Sequence, residues 1–138
     1  MIKTGTPFLV FYDECEEALN YYVEVFGAEI IEKTTFEDVD CMDDVSRKNC
    51  IAHATFKLGE SLFYASDFLD KEERNSSTKP QITIWLEIDS AENIQPLVEK
   101  LLSTGSTSLF PLAESFWGSQ FAEIQDKFGI IWELNAQM

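Results

Sequence analysis

The chain has 138 residues, 45% of them hydrophobic, which suits a globular protein able to bury a real core. Its 25 acidic and 10 basic side chains give a formal charge of −15. That balance argues against nucleic acid and anionic membrane surfaces, both of which recruit Lys and Arg, and it suits cationic ligands or plain solubility. Residues 1–10 are too short and poorly flanked for a signal peptide, and no apolar run nears the ~20 residues that span a bilayer. A cytoplasmic protein is therefore expected, with Cys15, Cys41 and Cys50 as free thiols.

In chain order, Pro7 to Tyr12 is aromatic and β-branched and reads as a strand. Asp13 stands at an N-cap position with Glu16 three residues on, as in a capping box. Cys15, Ala18, Leu19, Tyr22 and Phe26 then recur at helical spacing, and Gly27 stands where a helix stops. Glu29 to Phe36 reads as a strand, and the acidic stretch from Glu37 to Lys48 as an exposed loop. Ile51 to Leu58 and Ser61 to Ser66 form a hairpin across Gly59-Glu60. Residues 67–80, charged and Ser-rich, read as a linker.

The order then restarts. From Gln81 to Ile88, Ile82, Ile84, Leu86 and Ile88 alternate with Gln81, Thr83, Trp85 and Glu87, a strand pattern. A helix follows from Asp89-Ser90, or from Asn93 if Pro96 must fall in its first turn, and Gly105 closes it. Strands are expected at Thr107 to Leu112, Gln120 to Gln125 and Ile130 to Asn135, with a type I turn over Asp126-Lys127-Phe128-Gly129. Strand, helix, glycine and three strands thus occur twice. The fold class is α+β: two βαβββ modules, about 1–66 and about 81–138, forming curved mixed sheets around a cavity, with helices on the convex faces.

Glu16-Glu17-Ala18-Leu19-Asn20-Tyr21-Tyr22, Val25-Phe26-Gly27-Ala28-Glu29, His53 to Leu62, Phe116-Trp117-Gly118 and Asp126 to Trp132 together resemble the PhnB-like group of the vicinal-oxygen-chelate superfamily, which includes glyoxalase I, extradiol dioxygenases and bleomycin-resistance proteins. The resemblance covers nearly the whole chain and implies one domain over residues 1–138 with the paired βαβββ fold. It also implies four cavity positions where the superfamily's enzymes hold a divalent metal. These fall near Pro7, Tyr64, Thr83 and Glu133, of which only Glu133 is a competent ligand. No metal and no cofactor are therefore expected. A homodimer is expected from exposed sheet edges and from family habit.

His53, the single histidine, lies opposite the apolar set Ala52, Ala54, Phe56 and Leu58, where it would face the cavity and move a proton or hold a ligand. The plainer alternative is a hydrogen-bonded structural histidine. Glu133 would act as a base with a raised pKa or pair with a cationic group, against the alternative of a charge reaching water. Trp85 and Tyr64 offer flat surfaces for stacking, Thr83 faces the same way, and Trp117 and Gln120 lie where the chain re-enters the sheet. Cys41, Cys50 and His53 match no zinc spacing. No Gly-rich nucleotide loop follows a strand, and no Arg or Lys cluster awaits a phosphonate dianion.

Two functions fit these residues. One is a metal-independent small-molecule-binding protein, its ligand a cationic or aromatic metabolite or drug. The alternative is a lyase, isomerase or dioxygenase relative using Glu133 and His53. A third role, through an interface alone, stays open.

Overall fold

The computed structural model describes residues 1–39, 45–75 and 80–138. The chain divides into two compact units, Met1–Asn75 and Ser76–Met138. Each holds one four-stranded mixed sheet with a long helix on one face, so the α+β class and the doubled βαβββ order are observed.

The first unit contains β1 (Phe8–Phe11), α1 (Cys15–Phe26), β2 (Glu29–Thr35), the short α2 (Phe36–Val39), a 3-10 turn (Val45–Arg47), β3 (Ile51–Leu58) and β4 (Ser61–Asp67). Its sheet order is β1-β4-β3-β2, with β1 parallel to β4 and the other pairs antiparallel. Cys15, Ala18, Leu19 and Tyr22 are buried as their spacing predicts, and Tyr22 stacks on Phe56, which stacks on Phe63. Gly27 takes the left-handed conformation (φ 71°) that ends α1.

Asp13 departs from the expected N-cap. It has φ 61°, and its carboxylate turns to Arg47 instead of to the helix. Glu14 holds the cap position without a side-chain bond to the helix, and the capping service comes from far along the chain. Asp67, buried at the end of β4, accepts the Cys15 amide at 2.9 Å with one oxygen and the Ile51 amide at 2.9 Å with the other. One carboxylate thus ties α1, β3 and β4 together, and burial pushes its pKa up. The acidic stretch expected to be plain loop forms α2 and the 3-10 turn in part. Phe36 anchors it in the core, and the Arg47 guanidinium lies 5.4 Å from the Phe36 ring.

The second unit contains β5 (Ile84–Glu87), α3 (Ala91–Ser103), β6 (Thr107–Glu114), β7 (Ser119–Gln125) and β8 (Ile131–Gln137), in sheet order β5-β8-β7-β6. Ile94, Val98 and Leu101 of α3 pack on the face formed by Ala122, Ile124, Trp132 and Leu134. The helix begins after Ser90, not Asn93, so Pro96 lies in its interior. It sits on the exposed side of the helix, as does Glu92, whose carbonyl loses its usual donor four residues on. The cap is Thr104, and Gly105 follows at φ 106°. The turn after β7 forms as predicted. Gly129 N–H bonds the Asp126 carbonyl at 3.0 Å, and the buried Asp126 carboxylate takes the Phe128 and Ile130 amides and the Trp132 indole N–H.

Candidate functional site

Each sheet has one face under its helix and one open face, and strand alternation decides which side chains reach the open side. In the second unit the strand register sets them in two rows. Trp85 of β5 lies beside Glu133 of β8, then Glu123 of β7, then Phe110 of β6. In the next row come Glu87, Asn135, Phe121 and Ala113.

These residues bond to one another. Glu87 Oε1 accepts the Trp85 indole N–H at 2.7 Å and the Asn135 amide at 2.8 Å. Asn135 Oδ1 accepts the Trp117 indole N–H at 3.0 Å. Asn135 is buried, so its amide works as a fixed bridge between Trp117 and Glu87, and through Glu87 the network joins two half-exposed indoles, 47% exposed at Trp85 and 44% at Trp117. Phe121 closes the aromatic set, 5.7 Å from Trp85 and 5.3 Å from Trp117 between ring centres. A groove of about 590 Å³ opens over this network, lined by Trp85, Glu87, Trp117, Ser119, Asn135 and Met138 among others. Gly118 (φ 84°) makes the turn that brings Trp117 over the sheet. The strands β5 to β8 carry four glutamates, Glu87, Glu114, Glu123 and Glu133, and no Lys, Arg or His. Beside Glu123, the Glu133 carboxylate holds Glu123 above the usual carboxylate range, first through a hydrogen bond that favours a proton there.

The first unit arranges its open face likewise. Glu32, Thr55, Tyr64 and Phe8 form one row across β2, β3, β4 and β1. His53 Nδ1 lies 2.7 Å from Glu32 Oε1, and the imidazole is 5.1 Å from the Tyr64 ring and 5.7 Å from Phe8.

Of the residues singled out from the sequence, Trp85 and Trp117 meet in the groove with Glu133 next to Trp85, while His53 and Tyr64 meet on the first sheet. Thr83 does not join its set, because β5 starts only at Ile84 and the exposed residues before it have no strand partner. Gln120 shares its strand parity with Ala122 and Ile124, the helix-covered side, and bonds Met138 Sδ at 3.5 Å. Glu133 and His53, grouped as acid and base, belong to different units, and each has a carboxylate neighbour of its own, Glu123 and Glu32. Cys41 lies outside the described residues. Glu87, Asn135, Phe121 and Glu32 were missed. Alternation already put Glu87 beside Trp85 and Asn135 beside Glu133, but only the parallel register of β5 on β8 joins the two pairs.

The four superfamily metal positions do not fit a divalent ion. The Pro7 carbonyl accepts the Tyr64 amide, Tyr64 offers only a phenol, packed among rings, and Trp85 rather than Thr83 lies across from Glu133. Among the described residues, no three His, Cys, Asp or Glu side chains are grouped to hold one.

The doubled four-stranded architecture is the fold of the vicinal-oxygen-chelate superfamily. It superimposes on the fosfomycin resistance protein FosX from Listeria monocytogenes with a TM-score of 0.68, at 15% identity over 100% of this chain and 95% of that one. Within that fold class the chain belongs to the family described as 3-demethylubiquinone-9 3-methyltransferase, whose model matches residues 3–135. The Bacillus cereus PhnB protein, which bears the same methyltransferase description, is 26% identical with a TM-score of 0.77, over 97% of this chain and 99% of that one. Protein YjdN of Escherichia coli is 27% identical over 94% of this chain and 92% of its own length. No described helix is long and apolar enough to cross a membrane.

Proposed function

We propose that this protein binds a small organic cation with a flat body, without a divalent metal, on the open face of its second sheet. The observation that carries the reading is the Trp85–Glu87–Asn135–Trp117 network under a groove of about 590 Å³, a volume suited to a metabolite- or drug-sized ligand. A cation over an indole face gains from the ring quadrupole, most of all when a carboxylate stands nearby and no competing cation does. Glu87 is that carboxylate, and its two hydrogen bonds hold it in place before any ligand arrives. Self-association as a homodimer belongs to the same reading. It is supported by the edge strand β6, which exposes Leu109 and Phe110.

The test compares N-methylquinolinium with neutral quinoline, read by the indole N–H signals of the three tryptophans. N-methylquinolinium should shift Trp85 and Trp117 saturably and leave buried Trp132 unmoved. Glu87→Gln keeps an acceptor oxygen but removes the charge. It should weaken the cation about tenfold, or ~1.4 kcal/mol, and leave quinoline unchanged. Absence of saturable binding, or equal loss for both probes, would refute the reading.

A further inference from the structure

The pairing of β2 with β3 is broken twice within a few residues. Ile30 opposes Phe56, but Glu32, not Ile31, opposes Thr55, so Ile31 is an extra residue and stands 49% exposed. Regular pairing would have put Glu32 opposite Ala54, which lies on the helix-covered face with no exposed surface. The bulge turns Glu32 onto the open face instead, a common use of bulges near functional sites. A second shift follows Thr34, where Thr35 opposes Ile51. Between the two breaks lies the patch formed by Glu32, Thr34, His53 and Thr55.

The bulge brings Glu32 Oε1 to 2.7 Å from His53 Nδ1, with Thr55 Oγ1 at 3.5 Å from the same oxygen. A carboxylate can only accept, so Nδ1 must carry the hydrogen. In the neutral ring the lone pair is then left on Nε2. The imidazole is 41% exposed, so a ligand can reach it. It is flanked by Phe8, edge-on at 5.7 Å, and Tyr64, tilted at 5.1 Å, and these two rings lie 6.0 Å apart. No charged group from β1 or β4 joins Glu32 around it.

We propose that Glu32 is a positioning residue that fixes His53 with a bare Nε2, and that Nε2 with Phe8 and Tyr64 forms a second ligand site on the first unit, for a neutral aromatic hydroxyl of the phenol class. The ligand O–H donates to Nε2 and its ring packs against Phe8 and Tyr64. A negatively charged ligand is disfavoured by Glu32, and a ligand without a donor leaves Nε2 unpaired.

His53 is the only histidine, so its two ring nitrogens can be read without ambiguity by long-range proton–nitrogen NMR. At a pH above the imidazole titration, the protein should show hydrogen on Nδ1 and a bare Nε2, the tautomer less populated in free histidine. Glu32→Ala should move the hydrogen to Nε2, while Glu32→Gln, which still offers an acceptor oxygen, should keep it on Nδ1. Adding 4-chlorophenol should shift the Nε2 signal saturably, and 4-chloroanisole, its methyl ether, should not. In Glu32→Ala the affinity for 4-chlorophenol should fall at least about tenfold. Hydrogen found on Nε2 in the unaltered protein would overturn the positioning role. Equal responses to the two probes, or none, would overturn the site.

Discussion

Replacing Arg47 by Met tests what holds the β1–α1 junction. Arg47 is 5% exposed and donates to the Phe68 carbonyl at 2.6 Å, the Leu69 carbonyl at 2.7 Å and the Asp13 carboxylate at 2.6 Å through Nη2. Its partner Asp13 is held at φ 61°, a left-handed conformation that non-glycine residues adopt only at some cost. Met keeps most of the apolar stem over Phe36 but removes every donor. A hydrogen bond from a charged group contributes about 1.5–3 kcal/mol, and two carbonyls lose one each. Because the Asp13 side chain is 31% exposed, it recovers part of its hydration, so its share is discounted. The net loss expected is about 3 kcal/mol, at the low end for breaking a buried ion pair. That corresponds to a fall in Tm of roughly 10 °C for a chain of this size. Urea denaturation of Arg47→Met, of Asp13→Asn and of the double variant measures both the loss and the coupling, expected at about 1–2 kcal/mol. A loss below about 1 kcal/mol with no coupling would refute the view that Arg47 holds this junction.

Two further outcomes follow from the second sheet. Glu123 has a folded pKa above its ordinary value, so the protonated form is favoured on folding. The stability this contributes is present in full below the unfolded value of about 4.3 and is lost as pH rises through the raised folded value. Glu133→Gln removes the neighbouring charge and should bring Glu123 back toward the ordinary carboxylate range in a carbon-13 carboxyl titration. A wild-type Glu123 already titrating in that range would remove the pair from the account. Light scattering of the purified chain should give the mass of two copies, and Phe110→Glu on edge strand β6 should lower it; a monomeric wild type refutes pairing.

Local pattern carries a long way in this chain. The helical spacing of Cys15, Ala18, Leu19 and Tyr22, the stop at Gly27 and the turn at Asp126 to Gly129 each depend on residues within a few positions, and all are observed. So is the repetition of strand, helix and three strands, because each helix must cover one face of its own sheet. In the regularly paired strands the side was also legible, and Trp85, Tyr64, His53 and Glu133 stand on the side away from the helix, as alternation expects.

The local rules failed where a distant partner outcompeted a near one. Asp13 had the chemistry of an N-cap, but the Arg47 guanidinium offered a stronger bond, and Asp67, 52 residues from Cys15, took over the helix amide. Amino-acid order determined the elements, the doubled architecture and, where the strands pair regularly, the faces on which polar groups stand, since those follow from periods of 2.0 and about 3.6 residues. Tertiary structure alone decided which of those groups meet. Glu87 reaches Asn135 across 48 residues through parallel register, and Glu32 reaches His53 through a bulge. Register and bulges arise from the pairing of whole strands, and a one-residue slip, invisible in the composition of either strand, sends a side chain to the opposite face.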